Sequence, residues 1–241
     1  MKMKITRTRI LLVLTIIVLA CFISSNQSWS KSQVPVEPIA VVKAMQGSVD
    51  MTMAEAHQPV ELKNGDIVHI RDTIATNAHS KLLLKWKSGV LTSLGEQSSV
   101  LVSQREAQGG PVNVLKMTKG VLRVSKPRGC GKVTPYRVTT PEASIEPLNF
   151  DEPVDFIVDV RSPTMSVITV ISGPVRINNL SVAQPMVLAV SGCHTVFVNQ
   201  GIQQPKVFGS DSGTLGKLVN RTTIPGTLAM NFACPVPTWL F

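Results

Sequence analysis

The chain has 241 residues, 44% of them hydrophobic, with 24 Lys and Arg against 15 Asp and Glu. A hydrophobic share of that size supports a packed core and excludes general disorder. Four of the cations lie in the first nine residues and no acid precedes Glu37, so the body carries a modest formal +5, which bears on solubility before it bears on anionic partners.

The N-terminus reads as a targeting segment. Lys2, Lys4, Arg7 and Arg9 form a positive region, and Ile10 to Cys21 is an unbroken apolar run. That run is short of the roughly 20 residues a spanning helix needs. Residues 1–30 are therefore expected to be a signal peptide or membrane anchor, with 31–38 as a linker. Two exits compete. Val18-Leu19-Ala20-Cys21 resembles a lipobox that would lipidate Cys21, and Ser28-Trp29-Ser30 offers ordinary cleavage, which the large Leu19 favours; an uncleaved anchor is the third option. The expected location is the periplasm or cell surface, with the membrane touched only through this segment.

Strand signals then follow almost without interruption. Val49, Met51 and Met53 alternate with Ser48, Asp50 and Thr52; Leu82, Leu84 and Trp86 alternate with Lys81, Leu83, Lys85 and Lys87. Ser88-Gly89 predicts a hairpin into Val90 to Leu94. Val154, Phe156, Val158 and Val160 form another apolar set, and Met165, Val167, Thr169 and Ile171 continue the period after a turn at Arg161 to Pro163. The fold class expected is all-β: an antiparallel β-sandwich or a β-roll or β-helix of repeated short strands over 39–200. Residues 201–241 read as an irregular tail packing on that domain, with a helical turn or two near Ser212 to Asn220 after a capping Ser or Asp. The closing Pro235 to Phe241 is apolar enough to need a docking surface.

A phrase recurs within this pattern. Gly47-Ser48-Val49-Asp50-Met51, Gly120-Val121-Leu122-Arg123-Val124 and Gly173-Pro174-Val175-Arg176-Ile177 share glycine, any residue, aliphatic, polar, apolar. Glycine admits positive φ and close backbone approach, which lets one strand stop and the next begin at a fixed offset.

These segments resemble the FecR-like domain family. The resemblance is carried by Ala44 to Val49, Leu62 to Asp66 with Ile74-Ala75-Thr76, Ala78 to Val102 around Lys87-Ser88-Gly89, Leu115 to Val124, Tyr136 to Pro141 and Val167 to Ile177, and it spans about Ile39 to Gln200. Pro147 to Pro153 departs from the family, which places a Gly-Thr pair before the following strand. The resemblance implies a β domain that binds or senses at the cell envelope. Members that regulate sigma factors carry a cytoplasmic helical segment before their membrane span; only nine residues precede the apolar run here, so the exported, stand-alone form is expected.

The chemistry-bearing residues are sparse. His57, His69, His79 and His194 make no His-Glu-x-x-His pattern, and His69, Asp72 and His79 would hold a metal only if their strands converged. Cys193-His194 lacks an orienting carboxylate, and no Gly-x-Ser-x-Gly elbow or phosphate loop occurs. The expectation is a non-enzymatic protein with no cofactor and no metal site. Cys130, Cys193 and Cys234 allow one disulfide between any two of them in an oxidising compartment. Between Glu106 and Glu142 there is no acid, while Lys116, Lys119, Arg123, Lys126, Arg128, Lys132 and Arg137 follow one another on neighbouring strands. If all project from one outer face, they form a contact for an envelope protein or for anionic glycan or lipid. Nucleic acid is not expected, because stacking aromatics are almost absent there. The alternative role is structural: a surface assembly component working through its sheet edges.

Overall fold

The computed structural model describes residues 38–56, 58–128, 134–182, 187–190, 192–202 and 204–227. The segment expected to be a signal peptide or anchor, including Cys21, and the apolar ending after 227 lie outside them.

The first half of the chain forms β1 (Ala40–Gln46), β2 (Val49–Thr52), β3 (Val60–Glu61), β4 (Ile67–Val68), β5 (Thr73–Thr76), β6 (Lys81–Trp86), β7 (Leu91–Leu94), β8 (Ser99–Ala107) and the long β9 (Gly110–Lys126). The second half forms β10 (Tyr136–Thr139), β11 (Ala143–Pro147), β12 (Val154–Ser162), β13 (Met165–Ser172), β14 (Val175–Asn179), β15 (Val187–Val190), β16 (His194–Asn199) and β17 (Lys206–Gly209), followed by helix α1 (Ser212–Thr222). Pairing divides the strands into two sheets. Sheet A runs β4-β1-β6-β7-β9-β12-β13-β16-β17, antiparallel throughout. Sheet B runs β3-β2-β5-β8-β9-β10-β11-β14-β15, parallel only between β9 and β10.

One core lies between them. Leu82, Leu84, Leu122, Phe156, Val158 and Ile168 from sheet A meet Val49, Ile74, Val100, Leu115, Val138, Ile145 and Ile177 from sheet B in a single apolar cluster. This is the sandwich among the architectures the alternation allows. A fully buried side chain such as Phe156 or Leu84 contributes roughly 1.5–3 kcal/mol over leaving it in water.

The recurring glycine phrase marks the corners where the chain passes between sheets. Gly47 joins β1 in sheet A to β2 in sheet B, Gly173 joins β13 to β14, and Gly120 lies inside β9, whose first part pairs in sheet B and last part in sheet A. Two of these corners share one hydrogen-bonding device. After Gly47, with φ 73°, the Ser48 N–H donates to Ser80 Oγ at 3.0 Å; after Gly120, with φ 88°, the Val121 N–H donates to Ser98 Oγ at 2.8 Å. Each serine hydroxyl in turn donates to a carbonyl two residues earlier, on Ala78 and Glu96. A Cβ at either glycine would collide with its serine, so the corner needs glycine for space as well as for φ.

Two expectations are revised. In β13 the period holds but the faces are exchanged: Ile168 and Val170 enter the sandwich core, and Val167, Thr169 and Ile171 face outward yet stay buried. At Ile171 the reason is α1, which lies where a helical turn or two was expected but runs for 11 residues. Asp211 caps it, Oδ1 accepting the Thr214 N–H at 2.8 Å. Leu215 and Leu218 then pack on Val121, Ile157 and Ile171, on the outside of sheet A. Lys81 Nζ donates to the carbonyls of Asn220 and Thr223 at 2.6 and 2.9 Å, placing a cation where the helix dipole favours one. No helix among the described residues is long and apolar enough to cross a membrane.

Candidate functional site

The Gly120 corner decides the fate of the basic residues. On the first part of β9 the side chains that alternate with the core set face outward from sheet B, and on its last part they face outward from sheet A. Lys116 and Lys119 are exposed on the sheet B part. Arg123, on the sheet A part, is buried in a bidentate pair with Asp155, at 2.9 Å from Nε to Oδ1 and 2.6 Å from Nη2 to Oδ2. Burial outweighs the pull of Arg123 and leaves the Asp155 carboxyl above its ordinary value. Lys126 is buried as well, its ammonium donating to the carbonyls of Asp151 and Glu152 at 3.0 and 3.2 Å. Arg128 is exposed beyond the end of β9, and Lys132 lies outside the described residues. The seven cations therefore do not share one face: a strand that changes sheet also changes which side of the sandwich its outward residues face, which turns Arg123 away from Lys116, while Lys126 has the inward parity of Leu122 and Val124 and is buried.

What remains is a smaller group on the outside of sheet B. Arg137 donates to Glu146 Oε2 through Nε at 2.9 Å and Nη2 at 2.6 Å, and Arg176 Nη1 donates to Oε1 of the same carboxylate at 3.4 Å. Arg176 was not among the expected cations; its signal lay in the alternation of Val175, Arg176, Ile177 and Asn178. On the outside of sheet A, Asp159 likewise serves two cations, Arg221 at 2.9 Å and Arg161 at 3.5 Å.

A cleft opens at one end of the sandwich. Its apolar floor is formed by Ile39, Ile70 and Trp86, and its polar wall by Lys87, Ser88, Gln104 and Asn113. Its volume is about 240 Å³. Trp86 is locked by its indole N–H, which donates to Thr92 Oγ1 at 2.7 Å. Asn113 is buried and accepts from Gln104 Nε2 at 3.1 Å. The Ser88-Gly89 hairpin was legible as a turn, but Asn113 and Gln104 gave no sign of convergence, since β8 and β9 bring them together only through their register.

The remaining expected sites are dispersed. His69 faces Asp72 at 3.7 Å and His79 faces Glu96 at 3.6 Å, so these residues do not converge, and no group of three metal-ligating side chains occurs among the described residues. His57 lies outside them. Cys193 is disulfide-bonded, and Cys130 and Cys234 lie outside the described residues. His194 Nδ1 sits 2.9 Å from the Gly192 carbonyl.

No family model matches the chain, so the FecR-like resemblance rests on its motifs, and no curated protein matches it. Among solved structures it is similar to two crystal structures of a candidate anti-sigma factor from Parabacteroides distasonis ATCC 8503. Both are 14% identical and cover 60% of this chain and 62% of the other, with TM-scores of 0.46 and 0.45. The chain thus spans less than two thirds of the length of those proteins.

Proposed function

We propose that the protein is an exported, non-enzymatic binding or sensing module of the cell envelope that holds its ligand in the end cleft. The observation that supports this reading is the composition of the cleft: a rigid apolar floor at Trp86, with the polar groups of Gln104, Asn113 and Ser88 and the cation of Lys87 around it. Among the described residues, Lys87 is the one titratable side chain in its lining, with no carboxylate or histidine there to complete an acid–base pair. At about 240 Å³ it falls below the ~300–1,000 Å³ usual for sites that enclose a drug-sized molecule. It therefore suits a small ligand or one anchoring side chain of a larger partner.

The test compares the full chain with two cleft variants, Ser88→Trp, which fills the space, and Asn113→Leu, which removes the buried amide. Each is immobilised and exposed to solubilised envelope extract. A species retained by the wild type and lost from both folded variants supports the reading; equal retention by all three defeats it. The edge strand β17 favours a second reading. Its residues are all exposed, with Val207 and Phe208 presenting apolar surface. If self-association rises with concentration and is abolished by Val207→Lys while the cleft variants behave as wild type, the assembly role gains.

A further inference from the structure

We propose that the end cleft takes a small carboxylate bearing one compact apolar group, an inference that rests on the cleft being the ligand site. The carboxylate is received by Asn113 Nδ2 and Lys87, and the apolar group lies against Trp86. Asn113 is the unusual residue of the cleft. On β9 it shares the inward parity of Leu115 and Met117, which are in the core, and it is 6% exposed. A buried amide is costly unless its groups find partners. Oδ1 has one in Gln104 Nε2 at 3.1 Å, whereas Nδ2 donates to none of the described residues. Unlike Glu142 Oε2 and Ser144 Oγ, this nitrogen is not sealed from solvent.

The cleft is where that donor opens. Asn113 lines it, and also lines a narrow slot of about 10 Å³ that shares Trp86 and Ser88 with the cleft and runs on between Val90, Leu115 and Tyr136. A space of that size holds about one water molecule, so a larger ligand stops at Asn113. Charge enters from the other end. Lys87 is exposed at the rim, and its backbone N–H donates to the Ile39 carbonyl at 3.1 Å, which fixes where the side chain starts. A hydrogen-bond donor at the bottom and a cation at the rim thus face the same space.

The combination selects the ligand class. An open N–H and an ammonium call for acceptor oxygens that carry negative charge. Trp86, Ile39 and Ile70, with Pro38 and Pro111 beside them, call for an apolar body. A carboxylate on one ring or branched alkyl group supplies both within about 240 Å³. Inorganic phosphate would leave the apolar floor uncovered, and a saccharide would set its hydroxyls against it. An ammonium compound would meet Lys87 with no carboxylate in the lining to receive it. The same chemistry comes from a free organic acid or from the last residue of a polypeptide, where the terminal carboxylate stands beside an apolar side chain.

The experiment titrates the full chain calorimetrically with phenylacetate, indoleacetate and isocaproate, and with a short peptide ending in phenylalanine as its free acid and as its amide. Phenylacetamide, phenethylamine and inorganic phosphate are the controls. At least one acid is expected to bind, with its amide about tenfold weaker. Lys87→Glu, at an exposed position, should weaken the acid about tenfold and leave phenylacetamide unchanged. Asn113→Leu should weaken acid and amide alike, since both offer an oxygen to Nδ2, and Ser88→Trp should abolish binding of both. Tighter binding of the free-acid peptide than of the small acids makes the source a polypeptide terminus, the reverse makes it a free acid, and either supports the proposal. The proposal is overturned if no acid binds, if phenylacetamide, phenethylamine or phosphate binds as tightly as the acids, or if Lys87→Glu or Asn113→Leu binds them as the wild type does. A species retained from envelope extract in a cleft-dependent way while no acid binds overturns this inference alone and leaves the cleft as the ligand site; equal retention by the cleft variants with no acid bound defeats both.

Discussion

The two outer faces of the sandwich take residues from the same strand and treat them in opposite ways. On sheet A, helix α1 covers Val121, Ile157 and Ile171, and beside it Arg123 and Asp155 neutralise each other out of water. On sheet B, Lys116 stands exposed, Arg137 and Arg176 reach solvent around Glu146, and Ser144 lacks a partner. Of two cations on one strand, Arg123 is thus structural and Lys116 is exposed, and the Gly120 corner lies between them. A closed face holds its charges in one buried pair, and an open face leaves them in contact with water.

The largest expected effect comes from breaking the closed face. Asp155→Ala leaves a buried guanidinium without its carboxylate and should cost about 3–5 kcal/mol in urea unfolding. The matching change on the open face, Glu146→Ala, frees two arginines whose side chains are 25% and 44% exposed, so they can turn to water. Its cost should stay within about 1 kcal/mol. Equal losses for the two variants would erase the distinction between the faces.

Opening the closed face without breaking its ion pair is the next step down. Leu218→Ala removes one of the two leucines that seat α1 and should cost about 2–3 kcal/mol, the lower part of the range for buried leucines, because a helix on the outside can shift to fill the gap. Hydrogen exchange should show α1 losing protection while β12 and β13 keep theirs. If β12 and β13 lose protection to the same extent, the helix is part of the core rather than a cover over it.

The alternation of Leu82 to Trp86 and of Val154 to Val160 was enough to read the sandwich core, because a period of two states which residues share a face. It could not say whether the opposite face was wet. Val167 and Ile171 looked like the core set of β13 for that reason: a strand buried on both sides has two apolar sets, and the helical turn expected near Ser212 to Asn220 gave no sign that α1 would seat on Ile171. The glycine phrase was visible as a repeat, yet its meaning as a corner required pairing partners at Ser80 and Ser98 that lie far along the chain. The basic run failed for the same reason. Arg123 and Lys116 are seven positions apart, and only the change of sheet at Gly120 puts them on opposite outer faces. The end cleft was illegible because Asn113, Gln104 and Trp86 meet through long-range register alone.

A smaller effect separates pH from packing on the sheet B side. Glu142, in the turn between β10 and β11, is buried with Oε2 unpartnered, and burial raises its carboxyl above the ordinary 4.5. A carboxyl raised on folding binds its proton more tightly in the folded state. Its contribution to stability is therefore greatest below the unfolded value and falls as pH rises towards the folded one. Asp155 is raised in the same direction, so the wild-type slope contains both groups. Glu142→Gln should flatten the decline in melting temperature above pH 4.5 while leaving the Asp155 part in place. A slope identical to that of the wild type would mean that Glu142 ionises without penalty and that its turn is wetter than its burial implies.

The smallest expected change runs the other way and tests why the cover on sheet A is only as firm as it is. Gly216 lies in the interior of α1, and a Cβ built there meets nothing within 4 Å. Alanine at that site adds no contact, so its effect comes from the chain itself: glycine costs a helix interior about 0.8–1.0 kcal/mol relative to alanine, mostly through the freedom it retains when unfolded. A helix of 11 residues is marginal on its own in water, and glycines at 213 and 216 make it more so; α1 therefore depends on Leu215, Leu218 and the Lys81 cap to stay folded. Gly216→Ala should raise stability by up to about 1 kcal/mol and slow hydrogen exchange in α1 alone. If exchange slows without a gain in global stability, α1 opens and closes on a folded sandwich, and the closed face is closed only part of the time. If both rise together, helix and sandwich unfold as one unit, and the contrast between the faces is a permanent feature of the fold.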